Sequence, residues 1–289
     1  TNATSYNWTV SGTGNTVTGT GATATVNFNS AFSGVATISV SANGCNGPSA
    51  IASTNVTVRS IPTASISGTT SVCQNSPSPS VTFTNPQTLP VTVTYNLNGS
   101  SEANINVDAS GSASLIIPTN VTGTFTYNLI GVAYQTAPSC VNNSITGSAI
   151  ITVSAIPAQP SIDADGPTTF CQGEDVILTS TPATSYEWST GDTNQSITVT
   201  AGGSYNVRVA NAAGCQSAWS GITAVTVYPL PSQPTITPPG TTGICEGTSL
   251  TLTSSPGTSY LWSTTETSPS ISVNSAGSYT VQVTNSYGC

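Results

Sequence analysis

Two stretches of this chain are near copies held at one offset. CQGEDVILTSTPATSYEWSTGD begins at Cys171, and CEGTSLTLTSSPGTSYLWSTTE begins at Cys245, 74 residues later. The match runs on to SITVTAGGSYNVRVANAAGC, ending at Cys215, and SISVNSAGSYTVQVTNSYGC, ending at Cys289. A looser copy, SYNWTVSG, stands at 5–12. A constant offset over so many residues marks tandem units, each one a supersecondary module. An enzyme needs its active site once, whereas a beam needs its unit many times.

Within the unit the apolar period is two. Val176 alternates with Leu178, Tyr186 with Trp188, Ile197 with Val199, and Tyr205 with Val207 and Val209. Gly, Pro, Asn or Asp interrupts each run, and no stretch carries a helical period. This predicts an all-β chain of antiparallel sandwiches, each sheet with one wet face. Val225 and Val227 read as a closing strand after Cys215. Proline-bearing segments, RSIPTAS at 59–65, SAIPAQP at 154–160 and YPLPSQP at 228–234, read as stiff extended linkers. They set four repeats: 1–60, 61–156, 157–230 and 231–289. In the second, Tyr95 and Leu97 stand where Tyr-x-Trp is expected, so the Trp is lost.

Charge excludes several function classes. Charged residues are 4% of the chain, and the net charge is −8 with Arg59 and Arg208 as its only cations. Without a basic patch there is no counterion release from phosphates, so no nucleic-acid partner is expected. Attraction to anionic lipid fails for the same reason. No apolar run reaches the ~20 residues of a membrane helix, so no membrane insertion is expected in this segment. With no His and no Lys, no base stands ready to activate a Ser or Cys nucleophile. Glu187 and Asp192 are the nearest approach to a carboxylate pair, but Glu187 is replaced by Leu261 in the next repeat. No enzyme activity is expected.

The seven cysteines follow the repeat. Cys73 and Cys140, Cys171 and Cys215, and Cys245 and Cys289 each bracket one unit. Pairing within each unit is the simplest connectivity, stapling one pole of each sandwich, although spacing alone leaves other pairings open. Cys45 is then left over, its partner expected before Thr1, and the fourth repeat is expected to stop short of its closing strand. No CxxC motif accompanies these cysteines, which disfavours zinc. Disulfides would place the chain in an oxidising compartment, extracellular or at a cell surface.

The pattern C-x-G-x(3)-L-T…S-Y-x-W-S-T…S-I-x-V…G-S-Y-x-V-x-V-x-N-x(2)-G-C resembles the immunoglobulin-like and PKD-like repeats of large secreted surface proteins of Bacteroidota. These include gliding-motility adhesins and other type IX secretion cargo. It covers 171–215 and 245–289 closely, 1–60 in a PKD-like variant, and 61–156 in general style. The resemblance implies tandem immunoglobulin-like/PKD-like β-sandwich domains in an extended array. It also implies a stalk segment of a surface adhesin or filament that projects a binding tip. Its partners would be neighbouring domains of the same chain, with surface polysaccharide or other cells as outside partners. A carbohydrate-binding array and a passive spacer in a secreted hydrolase are the alternative readings.

Individual residues give the remaining candidates. Trp188, Trp262 and Trp8 alternate with tyrosines and read as core. Trp219, in QSAWSG, has no counterpart in the other repeats and is a candidate ligand contact. Asp163 and Asp165, in IDADG near Glu174 and Asp175, are a weak candidate for calcium. The following repeat reads ITPPG at that place, so the feature is not part of the unit. No other cofactor is expected.

Overall fold

The computed structural model describes residues 3–240 and 242–289. Its regular structure is all strand, and the chain divides into two compact units, Thr1–Ala155 and Ile156–Cys289. Among the described residues no helix is long and apolar enough to cross a membrane.

In the first unit, residues 5–58 form one antiparallel sheet with a separate hairpin. Gly34–Gly44 lies between Ser5–Val10 and Ala52–Val58, with Trp8 opposite Val40 and Ala36 opposite Val56. Ala36 stands where the third and fourth repeats carry Tyr205 and Tyr279, and it is fully buried. The Trp8 indole N–H donates to the Gly21 carbonyl at 3.1 Å.

The second repeat completes the plan with two sheets. Ser65–Ser67, Ser80–Thr84 and Ser112–Ile116 make one. Ser100–Val107, Val91–Leu97, Gly123–Tyr134, Ser148–Ser154 and Thr70–Cys73 make the other, with the short Val141–Asn142 also paired to Gly123–Tyr134. The alternating Val81, Phe83, Val91, Val93, Leu129 and Ile151 point inward and are almost wholly buried. Phe83, Tyr95 and Tyr127 pack as tilted rings, with centroids 5.0 and 6.2 Å apart and planes at 35° and 47°.

The second unit holds the two close copies, each with its own core. In the third repeat one sheet is Ile162–Ala164, Val176–Ser180 and Ser196–Val199. Ser185–Trp188 pairs with Val207–Ala210. The closing strand Thr223–Tyr228 lies between Gly203–Tyr205, antiparallel, and the opening strand Thr169–Cys171, parallel. Trp188 is buried beneath Val176, Leu178 and Val207, and its indole N–H donates to the Asn194 carbonyl at 2.8 Å. Trp262 repeats this with the Ser268 carbonyl, also at 2.8 Å. These tryptophans are core, and their polar edge is satisfied inside the loop that follows them.

The fourth repeat has the first sheet and the Trp262 pairing but not the three-stranded sheet. In the third repeat, Thr169–Cys171 and Gly203–Tyr205 find ladder partners in Thr223–Tyr228. Among the described residues the fourth repeat contains no strand equivalent to Thr223–Tyr228. Residues 243–245 and 277–279 accordingly form no ladder. They border a cleft of about 830 Å³ that reaches Leu250, Leu252 and Val273.

The strand directions correct the expected disulfides. Cys171 sits opposite Tyr228, at the far end of the closing strand. Tyr205 sits opposite Thr223, at its near end, and Val207–Ala210 carries the chain further away before the turn that holds Cys215. About ten residues of strand, roughly 30 Å, therefore separate Cys171 from Cys215. A disulfide tolerates Cα atoms only ~7 Å apart. The second repeat is built the same way: Cys73 lies opposite Ser154, whereas Cys140 follows a strand running antiparallel to Ser148–Ser154. Pairing inside a repeat, expected from spacing, is therefore excluded by the fold. Cys171 is bonded to Cys289, and Cys73 and Cys215 each belong to a disulfide. Cys45, Cys140 and Cys245 are free thiols, which overturns the expected bonds of Cys140 and Cys245.

Candidate functional site at the repeat junction

The most elaborated polar and covalent cluster of the second unit lies where the third repeat meets the fourth. It begins with a turn written N-x-x-G-C. Asn285 accepts the amides of Tyr287 and Cys289 on its side-chain oxygen at 3.0 and 3.1 Å. Its own amide donates to the Cys289 carbonyl at 2.8 Å. Gly288 supplies a φ of 86° that a residue with a Cβ adopts only at a cost. Asn211, Gly214 and Cys215 repeat this turn with side-chain bonds of 3.0 Å to the amides of Ala213 and Cys215. The turn holds its cysteine at the tip.

That tip docks on the end of the preceding closing strand. The Asn285 side-chain amide donates to the Pro229 carbonyl at 2.8 Å, in the proline linker. The Tyr287 ring stacks on Tyr228 with centroids 4.1 Å apart and planes within 11°. Cys289 closes the junction on Cys171 with Cα atoms 5.7 Å apart. Cys171 is itself held in a short turn: its amide donates to the Glu174 carboxylate at 3.0 Å, and its carbonyl accepts from the Glu174 amide at 3.1 Å. Cys73 with Ser76, and Cys245 with Thr248, form the matching turns.

Within the first unit a related junction uses charge. The Arg59 guanidinium donates to the carbonyls of Thr136 and Pro138 at 2.6 and 3.3 Å and lies 5.7 Å from the Tyr134 ring centre. The Asn142 side chain donates to the carbonyl of linker residue Pro62 at 3.1 Å, as Asn285 does to Pro229.

The other sequence candidates lie apart from these junctions. Trp219 is half-buried, with the Arg208 guanidinium 4.8 Å above its ring. Its carbonyl accepts from Gln159. Arg208 in turn makes a two-pronged bridge to Glu187, at 2.9 and 2.8 Å, across the pair Ser185–Trp188 and Val207–Ala210. The hydrogen bond from Arg208 holds the Glu187 carboxyl below its ordinary range. One face of Trp219 is thus committed to a protein cation.

Asp163 lies within Ile162–Ala164, and the Asp165 carboxylate accepts the Ile177 amide at 2.8 Å. Among the described residues no three His, Cys, Asp or Glu side chains converge as a metal group. The junction residues Asn285, Tyr287 and Tyr228 were not singled out by the sequence reading. The recurring N-x(2)-G-C carries their signal: it marks a docking turn as well as the place of a cysteine.

No known family profile and no curated protein matches the chain. Solved structures do resemble it. The Ca²⁺-stabilized adhesin with which an Antarctic bacterium binds ice aligns at a TM-score of 0.38 and 14% identity, over 99% of this chain and 81% of that one. A structure from a 1.5-MDa bacterial ice-binding adhesin aligns at 0.33 and 17% identity, over 68% and 75%. The FN1–FN3 domains of chicken CNTN1 align at 0.30 and 12% identity, over 66% and 75%.

Proposed function

We propose that this chain is a structural stalk segment of a secreted bacterial surface adhesin, holding a binding tip away from the cell. The observation that carries the reading is the junction of the third and fourth repeats, closed by the Cys171–Cys289 bond, the Tyr228–Tyr287 stack and the Asn285–Pro229 hydrogen bond. Consecutive beads on a flexible string need no such fastening, whereas a strut does. Disulfides belong to an oxidising compartment and so support an extracellular location. The repeat motif supports a Bacteroidota surface protein of the gliding-motility or type IX cargo kind. Both arginines are engaged in hydrogen bonds, which leaves trypsin-like proteases little to cut.

Small-angle scattering tests the shape. A compact chain of this length has a radius of gyration of roughly 19 Å. A stalk gives a value well above that, and one near it overturns the reading. Antibody labelling of intact cells with protease shaving tests the surface location.

A further inference from the structure

The structure assigns the Cys171–Cys289 bridge a mechanical role: it stitches the third repeat to the fourth pole to pole and carries tension past the strands between the two cysteines. The inference rests on the stalk reading for its purpose but not for its geometry.

Each full repeat presents two kinds of cysteine. Cys73 and Cys171 end the opening strand, level with the last residues of the closing strand, Ser154 and Tyr228. Cys245 occupies the matching position in the fourth repeat. Cys140, Cys215 and Cys289 follow the strand that runs the other way and face the opposite pole. The two kinds in one repeat are too far apart to bond, but the last pole of the third repeat meets the first pole of the fourth. The observed bridge joins an opening-strand cysteine to the turn cysteine of the following repeat.

The topology has a mechanical consequence. Tension that enters at Ile156 passes along the backbone to Cys171, crosses the sulfur–sulfur bond, and leaves at Cys289. Residues 172–288 lie in a closed loop beside that path. Their strands can unravel thermally, but tension does not pull them apart while the bond is intact. The strands of the repeats are held by hydrogen bonds and packed side chains, each far weaker than a covalent link. Pulled between Ile156 and Cys289, the oxidised chain is thus nearly inextensible. Reduction of the disulfide, by two electrons and two protons from a thiol donor, makes the same stretch extensible.

Single-molecule pulling on the full chain tests this. One handle is attached at Ala158 through a genetically encoded azide and the other behind Cys289. Oxidised chains should yield only the contour of about thirteen residues, roughly 50 Å. Dithiothreitol should add the 118-residue loop, about 400 Å. Oxidised Cys289→Ser should show the same gain, and Cys245→Ser should show none. No gain on reduction overturns the bypass. A gain of only about 150 Å, the length of a Cys171–Cys215 loop, overturns it too. A chain extended in scattering but lacking the gain refutes the bypass alone. A chain with the gain but compact in scattering refutes the stalk alone.

Discussion

Tyr228 and Tyr287 stack with ring centres 4.1 Å apart, although one ends a closing strand and the other sits in the turn of the next repeat. Tyr287 is 56% exposed, so the stack contributes through the contact face more than through burial. Such aromatic pairs contribute about 0.5–1.5 kcal/mol beyond area. Tyr287→Ala is expected to loosen the junction only when the neighbouring disulfide is open. Hydrogen exchange of the Pro229 region should rise in reduced Tyr287→Ala and change little in the oxidised form.

The docking turn makes a second expectation. Asn285 satisfies two amides of its own turn and one carbonyl of the linker. Asn285→Ala removes the side-chain brace of the cysteine's turn, at roughly 1 kcal/mol per lost bond. Refolding in a glutathione buffer should then form the Cys171–Cys289 bond more slowly and to a lower extent, read by peptide mass mapping. Asn211→Ala should leave that particular bond unchanged.

Much of the fold was legible because it is local. Trp188 and Trp262 alternate with tyrosines at period two, and burial on one sheet face follows directly. Val225 and Val227 announced the closing strand in the same way. Connectivity of the cysteines was not legible, because it depends on Cys171 pairing in parallel with Tyr228, 57 residues away in the chain. Nothing near Cys171 records that partner. Spacing put Cys171 and Cys215 at the two ends of one repeat, and strand direction put them at the two poles of one sandwich. Trp219 was conspicuous in sequence because it was unrepeated. Its partners, Arg208 and through it Glu187, are unrepeated as well: the fourth repeat pairs Leu261 with Gln282 at the same register.

That trio gives a pH dependence at the acid side. Arg208 donates to Glu187 and lowers its pKa from the ordinary 4.5. A depressed carboxyl stabilises the fold fully above its unfolded pKa, and the contribution fades as pH falls through the lower folded value. Wild type should therefore lose stability on acidification below about pH 4.5, and Glu187→Gln should lose less over that window. Trp219→Ala removes the ring beneath Arg208 and should weaken the same response. Urea titrations across that pH range check both.

At the alkaline side the second repeat carries the opposite dependence. Tyr127 is 6% exposed within the core, and its pKa is raised from the ordinary 10.0, first by burial and then by Tyr95. An acid with a raised folded pKa keeps its proton after the unfolded chain has lost its own. The unfolded state then binds fewer protons, so stability is level below pH 10 and falls as pH climbs from there through the folded value. Tyr127→Phe cannot ionise, so its stability should hold further into alkali although it keeps the packing against Tyr95. Tyr95→Phe should reduce the effect only in part, since it removes the smaller of the two causes. Thermal melts of wild type and both variants between pH 8 and 11.5, with tyrosinate absorbance followed in parallel, separate these outcomes. A wild-type curve parallel to that of Tyr127→Phe would show that burial of this phenol does not set the alkaline limit.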